Sequence, residues 1–178
     1  MQRRSLIKTG AALLVSPLVL HAQTPFPDKA IRLVVPFAPG GDGDVMGRIW
    51  VKYATTISGF TFFVDNKAGA GGVIGAAEVA RAKADGYTLL LGTSTTQMIN
   101  PLASASSPYD PLKDFVLVGM VSANPTCIVV HPSLGVQNLA ELTAYAKGKE
   151  LAYGSAGQGT ITNLTGEMYK HLSGKLNI

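Results

Sequence analysis

The stretch Val34-Val35-Pro36-Phe37-Ala38-Pro39-Gly40-Gly41-Asp42-Gly43-Asp44 decides how this chain folds. The apolar run from Ile31 to Phe37 enters a loop rich in proline and glycine, and an amphipathic pattern follows. We interpret these segments as a buried strand, a tight turn and a helix. A helix start offers unbonded N–H groups and the positive end of a dipole, which favour an anion. The stretch therefore predicts a site for a carboxylate or phosphate, with a turn that binds nothing as the alternative.

The helix after this turn is predicted to bury one apolar face. Met46, Ile49, Trp50 and Tyr53 recur at the spacing of a single helical face. Asp44 is well placed to cap the helix or to complement its N-terminal dipole. We also include Asp44 among the candidate ligand-binding residues.

The same order of strand, loop and helix recurs along the chain. Thr61 to Asp65 is predicted as a second strand before the glycine-rich loop 66–72, and Tyr87 to Leu91 as a third before Gly92 to Thr96. A fourth instance occupies residues 151–160 and the helix after them. Strands that alternate with helices predict βαβ units and a mainly parallel sheet. Ligands in such sheets bind beyond the carboxyl ends of the strands, where the first three loops lie.

Further elements are predicted towards the C-terminus. Apolar runs at 115–121, 126–131 and 176–178 predict three more strands, and 122–125 is interpreted as a crossing between lobes. Asn138 to Glu141 fits the capping-box pattern at a helix start. The apolar stripes of the last two helices are Leu139, Leu142 and Ala146, then Ile161, Leu164, Met168 and Leu172. We divide the chain into 1–22, a first α/β lobe at 23–123 and the start of a second at 124–178.

The N-terminus has the pattern of an export signal. Arg3, Arg4 and Lys8 precede an apolar run from Ala11 to Leu20, and a small residue follows at a cleavage position. The run is shorter than the roughly 20 residues that span a bilayer. We predict a cleavable signal peptide over residues 1–22, and its paired arginines resemble a twin-arginine signal.

Composition and motifs exclude several classes of function. The chain has 15 Lys and Arg and 11 Asp and Glu, and loss of the signal peptide leaves 12 against 11, which is no nucleic-acid footprint. The single cysteine, Cys127, excludes an intramolecular disulfide and is predicted to be buried. The sequence has no HExxH, metal-ligand cluster or G-x-S-x-G motif. We therefore predict no metal site and no enzyme.

One alternative is an exported nucleotide-cofactor oxidoreductase. Gly41-Asp42-Gly43 and Gly47 give G-x-G-x-x-x-G, one residue longer than the dinucleotide-binding motif. Asp65 follows at about the distance of a ribose-binding acid. An export signal would place such an enzyme where soluble nicotinamide cofactors are scarce, so the main interpretation requires no cofactor.

Six segments, in order along the mature chain, resemble the solute receptors of tripartite tricarboxylate transporters, also called Bug receptors. They are 26–41 (FPDKAIRLVVPFAPGG), 64–72 (VDNKAGAGG), 85–101, 109–115 (YDPLKDF), 129–133 (VVHPS) and 153–160 (YGSAGQGT). The resemblance implies a periplasmic binding protein of the type II kind, with two α/β lobes around a ligand cleft. It implies a small carboxylate ligand, membrane permease subunits as partners, a monomer and a periplasmic location.

The resemblance also implies the residues that grip the ligand. The first loop would contribute Phe37 and Ala38 and the backbone N–H groups of Pro39, Gly40 and Gly41. Thr93 and Ser94 would add hydroxyl groups from the first lobe. The facing loop of the second lobe would contribute Ser155, Ala156, Gly157, Gly159 and Thr160.

The chain departs from the family pattern at a few positions and in length. Gly43 stands where Ser or Thr is common, and Asn163 replaces a frequent histidine. Receptors of this family are longer, so we expect a truncated receptor whose second lobe and return strands are incomplete. A non-functional remnant of a receptor is the further alternative.

Overall fold

The computed structural model of the chain describes residues 25–104, 106–174 and 176–178. The signal peptide predicted at residues 1–22 lies outside these ranges. Within them, no helix is both long and apolar enough to cross a membrane.

A parallel three-stranded sheet organises the first part of the chain. Its strands are β1 (Ile31–Val35), β2 (Phe62–Asn66) and β3 (Thr88–Leu90), in the order β2-β1-β3. Both neighbours of β1 run parallel to it, as the repeated strand and helix pattern predicts. The central position explains why β1 is the most apolar strand and why most of its residues are buried.

Five α-helices and three short helical turns complete the described structure. The helices are α1 (Asp42–Ser58), α2 (Val73–Ala80), α3 (Asn100–Ala103), α4 (Leu139–Ala146) and α5 (Ile161–Leu172). Single 3-10 turns occupy Ala70–Gly72 and Pro132–Leu134, and a π-helical turn occupies Thr95–Ile99.

Helix α1 packs on the sheet through a different face from the predicted one. Ile49 and Tyr53 are 44% and 60% exposed, so the predicted stripe is wrong at these positions. Gly47 is buried instead, and a Cβ there would lie 2.9 Å from Val35 Cγ2. The missing side chain lets the helix axis approach the sheet closely, and this turns the glycine face inward. Trp50, which belongs to the predicted stripe, does pack against the sheet core as predicted.

Helix α2 packs through small residues, as predicted. Ala76 and Ala77 are buried and form a second core cluster with Tyr109. A Cβ at Gly75 would lie 2.9 Å from the Lys67 carbonyl oxygen and from Pro36 Cα, so only glycine fits there. The helix therefore lies almost in backbone contact with the loops that follow β1 and β2.

An ion-pair network joins two strands to α2. Arg32 Nη1 donates to Glu78 Oε1 at 2.7 Å and to Asp65 Oδ2 at 3.1 Å. Lys67 Nζ lies 3.6 Å from Asp65 and 3.9 Å from Glu78. The hydrogen bond to Glu78 is the main cause that raises the pKa of Arg32. The network fixes the register of β1, β2 and α2.

The predicted Asn138 cap of α4 is present, but the Glu141 carboxylate reaches the N–H before the N-cap instead of the N-cap N–H of a regular capping box. The apolar stripes of α4 and α5 are poorly covered. Asn138 Oδ1 accepts from the Glu141 N–H at 3.0 Å, and Glu141 accepts from the Gln137 N–H at 2.7 Å. On α4, Leu142 and Ala146 are buried, whereas Leu139 is 55% exposed. All four stripe residues of α5 are more than two-fifths exposed, so their predicted burial is wrong.

The strands predicted at 115–121, 126–131, 151–153 and 176–178 do not form in the described structure. A strand needs a hydrogen-bonding neighbour, and in the described residues these apolar runs have none beyond one bond from Leu151 N–H to Asn177 O at 3.0 Å. Cys127 lies in the second run and is exposed, so the prediction of a buried thiol is also wrong.

Candidate ligand-binding site

The loops after β1, β2 and β3 meet at the carboxyl edge of the sheet. Gly72 lies between the other two loops: a Cβ there would lie 2.6 Å from Thr96 Cγ2 and 3.4 Å from Phe37 Cζ. Asn66, at the end of β2, donates to the Phe37 carbonyl at 3.1 Å. The repeated pattern in the sequence thus converges on one place, as the parallel topology requires.

Asp44 holds the first loop in shape. Its buried carboxylate accepts from the Gly40 N–H at 2.9 Å and from Arg48 Nε at 3.0 Å. The bond from Arg48 is the first cause, and that from Gly40 the second, of a pKa lowered from the ordinary 3.8 to about 2. Asp44 lies in the first turn of α1, as its predicted interaction with the helix dipole requires, but α1 has no side-chain cap bond, so the capping alternative is wrong. Its carboxylate engages the Gly40 N–H within the loop instead.

The first helix start leaves backbone donors at the loop. The first backbone bond of α1 runs from the Val45 N–H to Gly41 O at 3.0 Å, so the N–H groups of residues 42–44 have no helical partner. Pro39 has no N–H, so a donor role for it is excluded by its chemistry. Ala38 and Gly41 are exposed beside it. The negative charge of Asp42 would repel an anion at this position. The Asp42 carboxylate accepts from Asn124 Nδ2 at 3.1 and 3.3 Å.

The second loop has a run of left-handed backbone. Residues 69–72 all have positive φ, including Ala70 at 48°. Only glycine adopts such angles freely, which explains the glycine-rich sequence of this loop. Asn100 Nδ2 donates to the Gly71 carbonyl at 3.0 Å and ties this loop to α3.

The third loop presents one of its two predicted hydroxyl groups. The Thr93 N–H donates to Thr96 Oγ1 at 3.0 Å, and the Thr93 hydroxyl lies 3.5 Å from the same atom. These bonds stabilise the start of the π-helical turn, a feature that recurs at functional sites. Ser94 is exposed and makes no side-chain cap bond within the described part of the chain, so its hydroxyl is the available one.

The fourth loop, residues 154–160, bonds mainly to itself and to α5. The backbone N–H groups of the predicted residues have partners nearby: Ala156 to Thr162 Oγ1 at 3.0 Å, Gly157 to Ser155 Oγ at 3.3 Å, Gly159 to Asn163 Oδ1 at 3.0 Å and Thr160 to Gly157 O at 3.2 Å. A carboxylate would have to replace some of these bonds to use the donors.

The fourth loop and the start of α5 nevertheless contact the second and third loops. The Ile161 N–H, at the start of α5, donates to Thr95 Oγ1 at 3.1 Å. Thr160 is buried, and a Cβ at Gly71 would lie 3.7 Å from its methyl group. Of the predicted residues, Thr160 takes part in these contacts, and its partners there lie outside the predicted set.

Several site residues lie outside the predicted set. Thr95 and Asn100 connect the loops, and Arg48 and Asn66 support the first loop. Asn124, in the segment 122–125, donates to Asp42. Thr95 continues the Thr93-Ser94 run and Asn66 ends a predicted strand, so their positions carried a signal. The contact of Asn124 with Asp42 is long-range, and no pattern in the sequence indicated it.

Two further features of the described structure, its acidic and metal-ligating side chains and its surface cavity, do not form an alternative site. In residues 25–104, 106–174 and 176–178, no three His, Cys, Asp or Glu side chains are placed to hold a metal. A surface cavity of about 520 Å³ is lined by second-half residues that include Ala146, Glu150 and Asn177, away from the predicted ligand contacts. It lies beside the hydrogen bond between the Leu151 N–H and the Asn177 carbonyl.

The parallel sheet and the loops gathered at its carboxyl edge are those of an α/β binding protein. The sequence model of the tripartite tricarboxylate transporter family receptors matches residues 48–178, so the chain belongs to this family. Protein BugT of Bordetella pertussis is 38% identical over 152 residues, which are 84% of this chain and 47% of BugT. A UPF0065 protein of Bordetella bronchiseptica is 34% identical, over 96% of this chain and 51% of that protein.

Solved structures of similar proteins have the same fold. A periplasmic transporter structure has a TM-score of 0.73 at 36% identity and covers 84% of this chain and 51% of its own. Rpa4515 of R. palustris, solved with adipate, has a TM-score of 0.73 at 33% identity over 86% and 52%. MatC of Rhodopseudomonas palustris, solved with bound malate, has a TM-score of 0.72 at 27% identity over 83% and 51%. The chain thus spans about half the length of the relatives it matches.

Proposed function

We propose that this chain is the ligand-gripping part of a periplasmic receptor that captures a small carboxylate and delivers it to the membrane permease subunits of a tripartite tricarboxylate transporter. The convergence of three strand-end loops with the loop 154–160, through the Thr95–Ile161 contact, carries this proposal. Two structural neighbours were solved with the dicarboxylates adipate and malate, which supports the choice of ligand class.

The available donors suit a carboxylate without a cationic cluster. On the first lobe they are the N–H groups at the start of α1 and the Ser94 hydroxyl. On the second lobe, the N–H groups of Ala156 and Gly157 exchange their internal bonds for bonds to the ligand. Each charge-assisted hydrogen bond contributes about 1.5–3 kcal/mol net. Three or four such bonds, less the cost of immobilisation, support a Kd of about 1 μM.

The oxidoreductase alternative loses the residue on which it depended. Asp65 accepts from Arg32 at 3.1 Å and lies 3.6 Å from Lys67, within the ion-pair network on α2. A carboxylate held in that way is not directed to a ribose at the loops. The family model that the chain matches describes transporter receptors, and we assign this chain no catalytic step.

Calorimetric titration with adipate and malate tests the proposal, with adipamide as an uncharged ligand of the same length as adipate. We expect saturable binding of a dicarboxylate and none of adipamide. The Ser94→Ala variant should bind about tenfold more weakly, because it loses one hydroxyl donor to a charged group. Ser173→Ala, at the far end of α5, is the matched control and should bind normally. Equal affinity for adipate and adipamide, or no saturable heat, would contradict the proposal.

A further inference from the structure

A continuous chain of hydrogen bonds leads from the fourth loop along α5. The Gly159 N–H donates to Asn163 Oδ1 at 3.0 Å, and Asn163 Nδ2 donates to the Tyr153 hydroxyl at 2.9 Å. The same hydroxyl donates to Glu167 Oε1 at 2.9 Å, and Lys170 Nζ lies 3.2 Å from Glu167 Oε2. The chain of bonds therefore connects a backbone donor of the candidate site to a surface ion pair.

The carboxylate at one end gives this chain of bonds a fixed direction. The bond from Tyr153 is the first cause, and that from Lys170 the second, of a lowered pKa of Glu167. An ionised carboxylate only accepts hydrogen bonds, so the Tyr153 proton points to Glu167 and the phenolic oxygen is left to accept from Asn163 Nδ2. The contact of the hydroxyl with the Asn163 carbonyl, at 3.3 Å, is longer and uncharged. Glu167 thus fixes the Asn163 amide with its oxygen towards Gly159.

The Tyr153 ring reaches these partners because it packs on a glycine of α5. A Cβ at Gly166 would lie 2.5 Å from Tyr153 Cε2 and 2.6 Å from Cζ. Asn163 and Glu167 are four residues apart and lie on the same helical face. Tyr153 is 37% exposed, so burial in a core does not account for its place. The contact with Gly166 sets the hydroxyl between the two side chains that it bonds.

The end of this chain of bonds lies in a loop whose backbone is otherwise free to rotate. Gly157 and Gly159 have φ angles of 123° and 75°, and glycine occupies many other conformations as readily. A fixed acceptor for the Gly159 N–H removes part of this freedom. The N–H groups of Ala156 and Gly157, which the proposed function assigns to the ligand, lie only two and three residues before Gly159.

We propose that Tyr153 is a positioning residue of the carboxylate grip: through the Asn163 side chain it holds Gly159, and so keeps the Ala156 and Gly157 N–H groups directed at the ligand. The Gly159 N–H retains its internal bond when the ligand binds. This inference rests on the proposed function for its ligand, while the bonds that carry it are those of the unliganded chain.

Tyr153→Phe tests the inference, because it removes the hydroxyl and keeps the ring on Gly166. In the ligand-free variant, amide hydrogen exchange of Gly159 should quicken about threefold or more. The NMR signals of the Asn163 side-chain amide should shift, since that group loses its acceptor. In calorimetry, the Kd for adipate should rise about threefold to tenfold, as expected for the loss of one hydrogen bond.

Tyr169→Phe is the matched control on the same helix. The Tyr169 hydroxyl lies 3.0 Å from Thr143 Oγ1 of α4 and makes no described bond to the fourth loop. Its removal should leave both the exchange of Gly159 and the Kd for adipate unchanged. Unchanged exchange in residues 168–172 of either variant shows that α5 remains folded.

Two further variants separate action through Asn163 from a merely structural role of Tyr153. Asn163→Ala should weaken adipate binding by itself, and the addition of Tyr153→Phe should then have almost no further effect, because the two residues act in series. Glu167→Gln keeps an oxygen that accepts from the Tyr153 hydroxyl, so it should retain the slow exchange of Gly159. Glu167→Ala removes that acceptor and should quicken the exchange.

Three results would overturn the inference. They are an unchanged exchange of Gly159 in Tyr153→Phe, an unchanged Kd for adipate in that variant, and additive effects of Tyr153→Phe and Asn163→Ala. Absence of adipate binding by the unmodified chain would contradict the proposed function instead. The exchange of Gly159, which needs no ligand, would then still decide whether Tyr153 holds the loop.

Discussion

The two halves of the described chain share a pattern of strand, loop and helix but differ in packing. In residues 25–104, three strands form a parallel sheet, and Leu33, Val35 and Leu91 make a buried core. In residues 106–178, α4 and α5 form with their caps, while the described part has no strand and much apolar surface is exposed. Capping is decided within one turn of helix, whereas a strand forms only where a neighbour is supplied.

The largest expected difference between the halves is the cost of truncating a leucine. Leu33→Ala removes a side chain that is 3% exposed in the sheet core and should lower the free energy of unfolding by about 2–5 kcal/mol. Leu117→Ala makes the same change at a site that is 90% exposed and should change it by no more than about 0.5 kcal/mol. Urea unfolding followed by Trp50 fluorescence measures both. Equal effects would show that the second half is packed after all.

A pair of glycines gives the next contrast. Gly75→Ala places a methyl group 2.9 Å from two backbone atoms and should cost about 1–3 kcal/mol, despite the better helix propensity of alanine. Gly154→Ala has nothing within 4 Å of the new methyl group and should be close to neutral. The same unfolding experiment compares them. A neutral Gly75→Ala would refute the close approach of α2 to the loops.

The cap of α4 tests whether the second half depends on local signals. Asn138→Ala removes the acceptor for the Glu141 N–H and should cost α4 about 1 kcal/mol. Faster amide exchange confined to residues 139–146, with Trp50 unfolding unchanged, is the expected result. Unfolding of both halves together after this change would show that they cooperate more than their packing indicates.

The smallest expected effect is the loss of folding stability when acid protonates Asp44. Because its pKa is lowered from 3.8 to about 2 in the folded chain, its contribution to stability is complete above pH 3.8 and is lost as the pH falls through about 2. Denaturant unfolding from about pH 5 down to about pH 2, a range set by that window, should therefore show a loss of stability that Asp44→Asn reduces. The carboxyl groups of Asp110 and Glu167, whose pKa values are also lowered, keep the remainder. Glu150→Gln removes one exposed negative charge and serves as the control. An unchanged acid profile in Asp44→Asn would contradict the contacts to Gly40 and Arg48.

The elements with strong local or repeated signals were predictable from the sequence. β1, β2 and β3 are short apolar runs bounded by turns, and the small face of α2 has helical spacing. The buried face of α1 was not predictable, because Gly47 directs it and glycine carries no hydrophobic signal. The later apolar runs have the pattern of strands, yet no described residue pairs with them in a sheet.

The candidate site was predictable as a set of loops but not in its details. Glycine-rich turns after parallel strands place residues such as Gly41 and Ser94 at one edge. The bonds that join the loops, from Asn124 to Asp42 and from Ile161 to Thr95, connect residues 82 and 66 positions apart. Such contacts depend on the tertiary structure, and no local pattern in the sequence encodes them.

The most direct test of the carboxylate grip is an NMR titration of the ¹⁵N-labelled 178-residue chain with adipate. We predict saturable shifts of the backbone amides of Gly41, Gly43 and Ser94, accompanied by shifts of Ala156 and Gly157, with none for adipamide. Saturable shifts confined to residues 116–121 or to the cavity beside Asn177, or no shifts at the loop amides at saturating adipate, would contradict the account.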